Sequence, residues 1–182
     1  MLLFMSFIAC ADYTPKPKGY PRIEPERGAY LPFEIHKLPF RFLINDVSRV
    51  EWEGGKDSTQ FRIVYPELGA AIYCHYLPVT PTTLDEAEQE GRMLVARQAH
   101  STGQIEEKSY SDPEARLYGS LFLLRGETAS PVQFLLTDSV SHLFRGALYF
   151  NCKPNADSLA PAIQYIRTDI IELIQTFRWK RR

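Results

Sequence analysis

The C-terminal part of the sequence carries the helical pattern that most restricts how this chain can fold. Between residues 159 and 179, apolar side chains recur every three or four positions, at Leu159, Ile163, Ile166, Ile170, Leu173, Ile174 and Phe177. This spacing places them on one side of an α-helix, and Pro161 falls in the first turn, where proline is tolerated. A helix with such a stripe needs an apolar surface to pack against, so the preceding residues must supply one.

Six stretches ahead of this helix show the alternation or the apolar runs that are typical of β-strands. They are PFRFLIND, STQFRIVYP, LGAAIYCHYLPV, ARLYGSLFLLRG, SPVQFLLTDS and HLFRGALYFNC. The residues 66–69 between the second and third stretches predict a hairpin turn, and the polar residues 51–59 predict a loop. The sequence therefore predicts a sheet built from neighbouring strands.

A first helix is predicted between the third and fourth of these strands. Thr82 with Asp85, or Thr83 with Glu86, fits a capping box at its start. Its apolar stripe would consist of Leu84, Ala87, Gly91, Leu94 and Val95. Strands, a helix, a strand meander and a C-terminal helix together predict an α+β fold, in which an antiparallel sheet packs against helices. We place this single domain at residues 40–182.

Residues 1–9 form an apolar run that is far shorter than the roughly 20 residues of a membrane-spanning helix. An apolar run that ends in a small residue before a cysteine is typical of a bacterial lipoprotein signal, and Ala9 supplies the small residue. We therefore predict that Cys10 accepts the lipid. Phe7 is larger than the residues preferred at its position, and the run has no positive residue before it. The alternative is that Cys10 is a buried cysteine in a first strand.

Residues 10–39 are predicted to form an extended, proline-rich tether, with prolines at positions 15, 17, 21, 25, 32 and 39. A stiff spacer of this kind would hold the domain off a membrane. Its interleaved aromatic residues have no role in a spacer, so we expect part of the segment to pack on the domain or on a partner. The candidate partner contacts are Lys16, Pro17, Lys18, Gly19, Tyr20, Pro21 and Arg22.

Two further cysteines, Cys74 and Cys152, remain as an even pair once Cys10 carries lipid. In an oxidising compartment outside the cytoplasm they could form a disulfide. They could equally be two unbonded cysteines of the core, because free cysteine is among the most buried residue types. Both possibilities stay open at the level of the sequence.

No arrangement of catalytic or metal-ligating residues is found in the sequence. Asp138, Ser139 and His142 lie close together, but a turn between two strands explains them, and no nucleophile elbow is present. The four histidines, at positions 36, 75, 100 and 142, lack metal-ligand spacing, and phosphate-binding glycine motifs are missing. We therefore expect a protein that is not an enzyme and needs no cofactor, metal or small-molecule substrate.

The charge balance argues against nucleic acid as a partner, since the formal net charge is only −1. The basic residues concentrate at the C-terminus, where Arg178, Lys180, Arg181 and Arg182 are predicted to form the solvated end of the last helix. Such a terminus is favoured by the helix dipole without any ligand.

Three stretches resemble the gliding motility lipoproteins of the Bacteroidota, the GldD family. They are DYTPKPKGYPRI, YPELGAAIYCHYLPV and TDSVSHLFRGALYFNCKPNADSLAPAIQYIRTDI, and the resemblance extends over the chain after residue 9. It implies a cell-envelope lipoprotein that faces the periplasm and is required for gliding and for type IX protein secretion. It also implies Cys10 as the lipid acceptor and no known enzymatic activity. By a looser comparison, the order of strands and helices resembles the PsbP/Mog1 type of α+β sandwich.

Two functions follow as hypotheses. The first is a lipid-anchored, non-catalytic component or assembly factor of the gliding and secretion machinery, whose partners are other subunits and whose contacts would include Tyr20, Trp52 and Trp179. The second is a periplasmic lipoprotein that binds a ligand or modifies the envelope. A pocket with convergent polar groups would favour the second, and a filled core between sheet and helices would count against it.

Overall fold

Ten strands and two helices make up the described part of the chain, which comprises residues 28–54, 59–99, 104–153 and 155–180 of a computed structural model. The strands are β1 (Tyr30–Glu34), β2 (Phe40–Asn45), β3 (Arg49–Glu53), β4 (Gln60–Tyr65), β5 (Ala70–Pro78), β6 (Ile105–Asp112), β7 (Leu117–Leu124), β8 (Val132–Thr137), β9 (His142–Phe150) and β10 (Arg178–Trp179). The helices are α1 (Pro81–Ala99) and α2 (Ala156–Thr176).

Seven of the strands form one antiparallel sheet in the order β3-β4-β5-β9-β8-β7-β6. Two meanders, β3 to β5 and β6 to β9, meet at its centre, where β5 pairs with β9 from Ala70 opposite Phe150 to Pro78 opposite His142. The other three strands form a smaller antiparallel sheet in the order β1-β2-β10. The prediction of an α+β fold with an antiparallel sheet and helices is confirmed.

The large sheet separates two apolar clusters because side chains alternate between its faces. On one face, which we call the inner face, Phe61, Phe144 and Leu148 pack against the small sheet and α2. On the opposite, outer face, Phe122 and Leu135 pack against α1. The two helices thus lie on opposite sides of the large sheet.

Aromatic rings fill the space between the inner face and the small sheet. The ring centroid of Phe40 in β2 lies 4.8 Å from that of Phe144 and 5.2 Å from that of Phe177. All three side chains are fully buried. Burying a phenylalanine side chain contributes roughly 1.5–3 kcal/mol each. This layer is therefore a packed aromatic core between the inner face and the small sheet.

Both helices begin with side-chain caps. In α1 the cap is Thr80, whose Oγ1 accepts from the backbone N–H of Thr83 at 3.3 Å while its own N–H donates to Thr83 Oγ1 at 2.9 Å. The predicted caps, Thr82 and Thr83, are wrong by two or three positions, because Pro81 is well suited to the first helical turn and moves the start upstream. In α2, Asn155 accepts from the N–H of Ser158 at 3.1 Å.

The last helix begins and ends earlier than predicted. It starts at Ala156, so Pro161 lies inside the helix and not in its first turn. It stops at Thr176, and Trp179, which was predicted to be helical, lies in β10 opposite Phe40. Lys180 belongs to the same extended end, where its Nζ donates to the carbonyl oxygen of Ile35 at 2.7 Å. The prediction that Arg178 and Lys180 form a helix terminus is therefore wrong, because pairing with β2 satisfies the backbone there better than another helical turn.

The folded body begins before residue 40, the predicted boundary. β1 pairs along its whole length with β2, from Tyr30 opposite Asn45 to Glu34 opposite Arg41. Phe33 is buried and stacks on Phe42 with ring centroids 4.7 Å apart. Part of the proline-rich segment thus packs on the domain, as its aromatic residues indicated, and residues 30–39 are not tether.

A buried polar cluster joins β1 and β2 to α2. Asp169 is 6% exposed and accepts hydrogen bonds from Tyr30 Oη at 2.7 Å and from Asn45 Nδ2 at 3.1 Å. Burial, followed by the contacts with Asp169, raises the pKa of the Tyr30 and Tyr65 phenols well above their usual range. These tyrosines therefore stay protonated and donate to the carboxylate.

Candidate functional site

Polar side chains form a row across the outer face of the large sheet. Gln60 of β4 lies opposite His75 of β5, which lies opposite Arg145 of β9, and Arg145 lies opposite Leu135 of β8. Opposed residues of paired strands point to the same side of a sheet. The antiparallel register thus brings Arg145 beside two polar side chains, Gln60 and His75, whose strands precede it by about 70 residues or more.

The next row lies two residues further along each strand. Arg62, Tyr73, Ala147 and Gln133 are opposed in that order on β4, β5, β9 and β8. Ala147 has the smallest side chain of the four, and it sits between Tyr73 and Gln133. A small residue between larger ones leaves a depression in the outer face.

A cleft of about 750 Å³ occupies this region between α1 and the outer face. From the sheet it is lined by both rows except Arg62, and from the helix by Gly91, Leu94, Val95, Arg97 and Gln98. Gly91 brings the helix close, since a Cβ there would lie 2.4 Å from Cδ1 of Leu135. The helix packs over β7, β8 and β9, whereas Tyr73 of β5 is 38% exposed, so the cleft is open on the side of Tyr73.

The electrostatics of the cleft centre on Arg145. A guanidinium nitrogen of Arg145 lies 3.3 Å from Nδ1 of His75. Because arginine only donates, Nδ1 accepts and the imidazole is neutral. Burial, and then the charge of Arg145, lower the pKa of His75, against a weaker opposite effect of Glu90. Within the described parts of the chain, Arg145 has no carboxylate at ion-pairing distance.

Gln133 contributes an unpaired donor to the cleft. Its side chain is 7% exposed, and its amide nitrogen Nε2 is buried without a hydrogen-bond partner. A buried donor without a partner costs about 1–3 kcal/mol. The site therefore holds a polar group for which the fold alone provides no acceptor.

An aromatic pair forms the open side of the cleft. Tyr73 and Tyr149 make an edge-to-face contact with ring centroids 5.4 Å apart, and Tyr73 is 38% exposed. The guanidinium of Arg62 lies over the Tyr73 ring at 5.6 Å, and Arg62 also pairs with Glu51 and Glu53 at 3.0 and 3.2 Å. Arg62 is thus neutralised, in contrast to Arg145.

The Asp138, Ser139 and His142 group is a structural turn, as the sequence interpretation held. One Asp138 oxygen accepts from the backbone N–H of Val140, Ser141 and His142 at 3.0, 2.7 and 2.8 Å. His142 Nδ1 lies 2.8 Å from Tyr76 Oη. Burial raises the pKa of Asp138, but the backbone hydrogen bonds outweigh it and lower the pKa. The carboxylate is occupied with the turn and does not orient the imidazole.

Some of the residues predicted from the sequence lie in the described part of the chain, and others lie outside it. Cys10 and the candidate contacts 16–22 lie outside the described residues, so these predictions stay predictions. Trp52 is 38% exposed at β3, and Trp179 stacks on His142 with ring centroids 5.0 Å apart. The parts of the chain that the structure describes contain no group of three or more side chains arranged to hold a metal ion.

The two cysteines are unpaired. Cys74 is buried in β5, whereas Cys152 is exposed just after β9. The possible disulfide is not formed in this structure. The alternative prediction placed both cysteines in the core. It is correct for Cys74 and wrong for Cys152, because Cys152 follows the end of β9 and is exposed.

Sequence reasoning missed His75, Gln133 and Arg145 as a group. The available signal was that each is a polar residue inside an otherwise apolar strand, which is unusual for a strand covered on both faces. Their proximity depends on the pairing of β5 with β9, which spans most of the domain in sequence. Only the fold reveals it.

Comparison with known protein families gives a match over residues 10–179 to the family described as gliding motility lipoprotein GldD. The chain belongs to this family. The matched range begins at Cys10, the predicted lipid acceptor of the GldD chain. The family description confirms the predicted resemblance and makes this chain a gliding motility lipoprotein, which implies anchoring to a membrane.

Two other comparisons add less. No curated protein matches this GldD family chain. Among solved structures, the solution structure of cyanobacterial PsbP (CyanoP) from Synechocystis sp. PCC 6803 is similar at a TM-score of 0.47 and 10% sequence identity, covering 84% of this chain and 93% of that one. This likeness carries no conclusion about function. None of the helices in the described ranges is long and apolar enough to cross a membrane.

Proposed function

We propose that this GldD family chain is a membrane-anchored, non-catalytic component or assembly factor of the machinery for gliding motility and type IX secretion. The single observation that carries the proposal is the family match, which extends from residue 10 to residue 179. Lipid attached at Cys10 would anchor the chain, and its folded body would face the periplasm. Its partners would be other protein subunits of the same machinery.

In this proposal the protein acts by placement, which means that its anchor holds the folded domain beside its partners at the membrane. An anchor at Cys10 confines the domain to a thin layer at the membrane, which raises its effective concentration for partners in that layer. Stable anchoring takes two or more acyl chains, since one chain binds only marginally. Residues 16–22 remain the proposed partner contacts, together with the exposed Trp52.

The non-catalytic part of the proposal is supported by how the reactive side chains of the described residues are used. Asp138 is held by its turn, and Cys74 is buried with a raised pKa, which keeps the thiol protonated and unreactive. The inner core is filled by aromatic rings. These observations favour a role in assembly.

A Cys10→Ala substitution tests the proposal in cells of the source bacterium. We expect the variant to leave the membrane fraction and to lose support for gliding and for secretion of type IX substrates. Cys152→Ala is the matched control, because Cys152 is exposed and should tolerate the change with membrane attachment and function intact. Full function of a Cys10→Ala protein found only in the soluble fraction would contradict placement as the mechanism.

The alternative function, a periplasmic lipoprotein that binds a ligand, is favoured by one observation. The cleft beside α1 has converging polar groups from β5, β8 and β9. The filled core on the inner face argues against a ligand there, so we place the ligand of this alternative in the cleft on the outer face. Binding at the cleft is compatible with the assembly role.

A further inference from the structure

We propose that the cleft between α1 and the outer face binds an organic anion, namely a molecule with a carboxylate or phosphate group on an apolar body. This goes beyond the assembly role, which needs no ligand, and it departs from the expectation that no small molecule takes part. The proposal rests on an unneutralised cation, an unpaired buried donor and an apolar wall within one cavity.

Two donors define the end that would hold the anionic group. Arg145 carries a charge that no described carboxylate neutralises, and only one of its five guanidinium N–H groups is directed at His75. Gln133 has a buried amide nitrogen without a partner. On the sheet these two residues are diagonal neighbours, because Arg145 is opposed to Leu135 and Gln133 to Ala147. Diagonal neighbours lie about 7–8 Å apart, so one anionic group between them can accept from both.

The charges around the cleft favour an anion over a cation. Glu53 is the carboxylate in the cleft lining, and Arg62 holds it at 3.2 Å, while Glu90 of α1 affects His75 less than Arg145 does. Arg97 adds a second cation from α1. A carboxylate or phosphate in the cleft would therefore supply a negative charge that pairs with these cations. A charge-assisted hydrogen bond is roughly twice as strong as a neutral one.

The remaining lining suits an apolar body. Leu94 is 36% exposed on α1, and Phe122 and Tyr149 also line the cleft. Ala147 keeps the floor low between Tyr73 and Gln133. The volume of about 750 Å³ lies within the roughly 300–1,000 Å³ of typical small-molecule sites.

Fluorescence titration with anilinonaphthalene sulfonate, an anion on an aromatic body, tests the proposal. The full chain carrying Cys10→Ser serves as the background, so that no attached acyl chain competes for the probe. Arg145→Gln and Gln133→Leu should each weaken probe binding about tenfold or more, because each removes a donor to the anion. Arg125→Gln is the matched control, since Arg125 is exposed, pairs with Glu106 at 3.3 Å and should leave binding unchanged.

The Gln133→Leu variant separates ligand binding from structural effects. Removing a buried unpaired amide should leave the unfolding temperature equal or higher while probe binding is weakened about tenfold or more. Octanoate and octyl phosphate, tested as competitors of the probe, show whether the cleft prefers a carboxylate or a phosphate as the anionic group of its ligand. Displacement by at least one of them, with octanol inactive, supports the proposal. Equal probe binding by Arg145→Gln and its background, or equal displacement by octanol, would overturn it.

Discussion

The carboxylate of Asp169 accepts hydrogen bonds from Asn45 Nδ2 through both of its oxygens, at 3.2 and 3.1 Å. These residues are buried and lie 124 positions apart in the sequence, in α2 and β2. With Tyr30, they connect the last long helix to the two strands that begin the folded body. A charge taken out of water is tolerated here because several donors surround it.

Asp169→Ala should therefore destabilise the protein strongly. It leaves the Tyr30 hydroxyl and the Asn45 amide without their acceptor, and each buried donor left unpaired costs about 1–3 kcal/mol. Urea unfolding followed by circular dichroism measures the loss. Asp157→Ala, at an exposed position in the first turn of α2, should cost about 0.3–1 kcal/mol. Equal effects of the two substitutions would show that the buried network adds no stability.

Thr80→Ala should destabilise α1, whereas Thr82→Ala should have little effect. Thr80 exchanges two hydrogen bonds with Thr83 at the helix start, and loss of such a cap costs about 0.5–2 kcal/mol. Thr82 lies inside the helix, and its hydroxyl reaches only that of Thr80. Urea unfolding of the two variants gives the free energy that each threonine contributes, and so compares the observed cap, Thr80, with Thr82, one of the two caps that the sequence predicted. A larger loss for Thr82→Ala would place the helix start where the sequence predicted it.

The contribution of Asp138 to stability should depend on pH. Its pKa is lowered in the folded state because backbone N–H groups of Val140, Ser141 and His142 donate to it. A carboxyl with a lowered folded pKa stabilises the fold above its unfolded pKa of about 3.9, and this stabilisation is lost as the pH falls through the folded pKa.

Unfolding free energies of the wild type and Asp138→Asn should therefore differ most above about pH 4 and converge in more acidic solution. Thermal unfolding from pH 2 to pH 7 provides the comparison. Asp112→Asn serves as a control at another turn, where the carboxylate accepts from a single backbone N–H, that of Ala115. A difference for Asp138→Asn that stays constant down to the lowest pH would contradict the turn assignment.

The two cysteines should react differently with a thiol reagent. Cys152 is exposed and should be labelled rapidly in the native protein, whereas Cys74 is buried and should react only after unfolding. Burial also raises the pKa of the Cys74 thiol, which slows its reaction further. Mass spectrometry of the natively labelled Cys10→Ser chain counts the modified thiols. Finding neither residue labelled before reduction, and both afterwards, would indicate the disulfide that the sequence left possible.

Much of the fold could be predicted because strong local patterns coincide with the final environment. β4, β5, β7, β8 and β9 have alternating or continuous apolar residues, and α2 has the apolar stripe that the sequence predicted. The turn at residues 66–69 is found as a short 3₁₀ turn, and Gly69 at φ 55° supplies its left-handed end. In these elements the local preference and the packing agree.

Strands at the edges of the sheets escaped prediction for a physical reason. β3 and β6 are the edges of the large sheet and are mostly polar, with sequences RVEWE and IEEKSYSD. Edge strands are half solvated, and charged side chains there discourage pairing with other chains. Their sequences therefore carry little of the apolar alternation by which strands are recognised. β10 is only two residues long and is held by its partner β2.

The sequence by itself determined the class of fold, the positions of the main strands and of the C-terminal helix, and the family signature that includes Cys10. Local periodicity and a distinctive order of residues are enough for that. Only the tertiary structure decided that His75, Gln133 and Arg145 line one cleft, and that Tyr30 and Asn45 surround Asp169. Such groups form through pairing and packing of residues far apart in the chain, and no local pattern specifies which strands become neighbours.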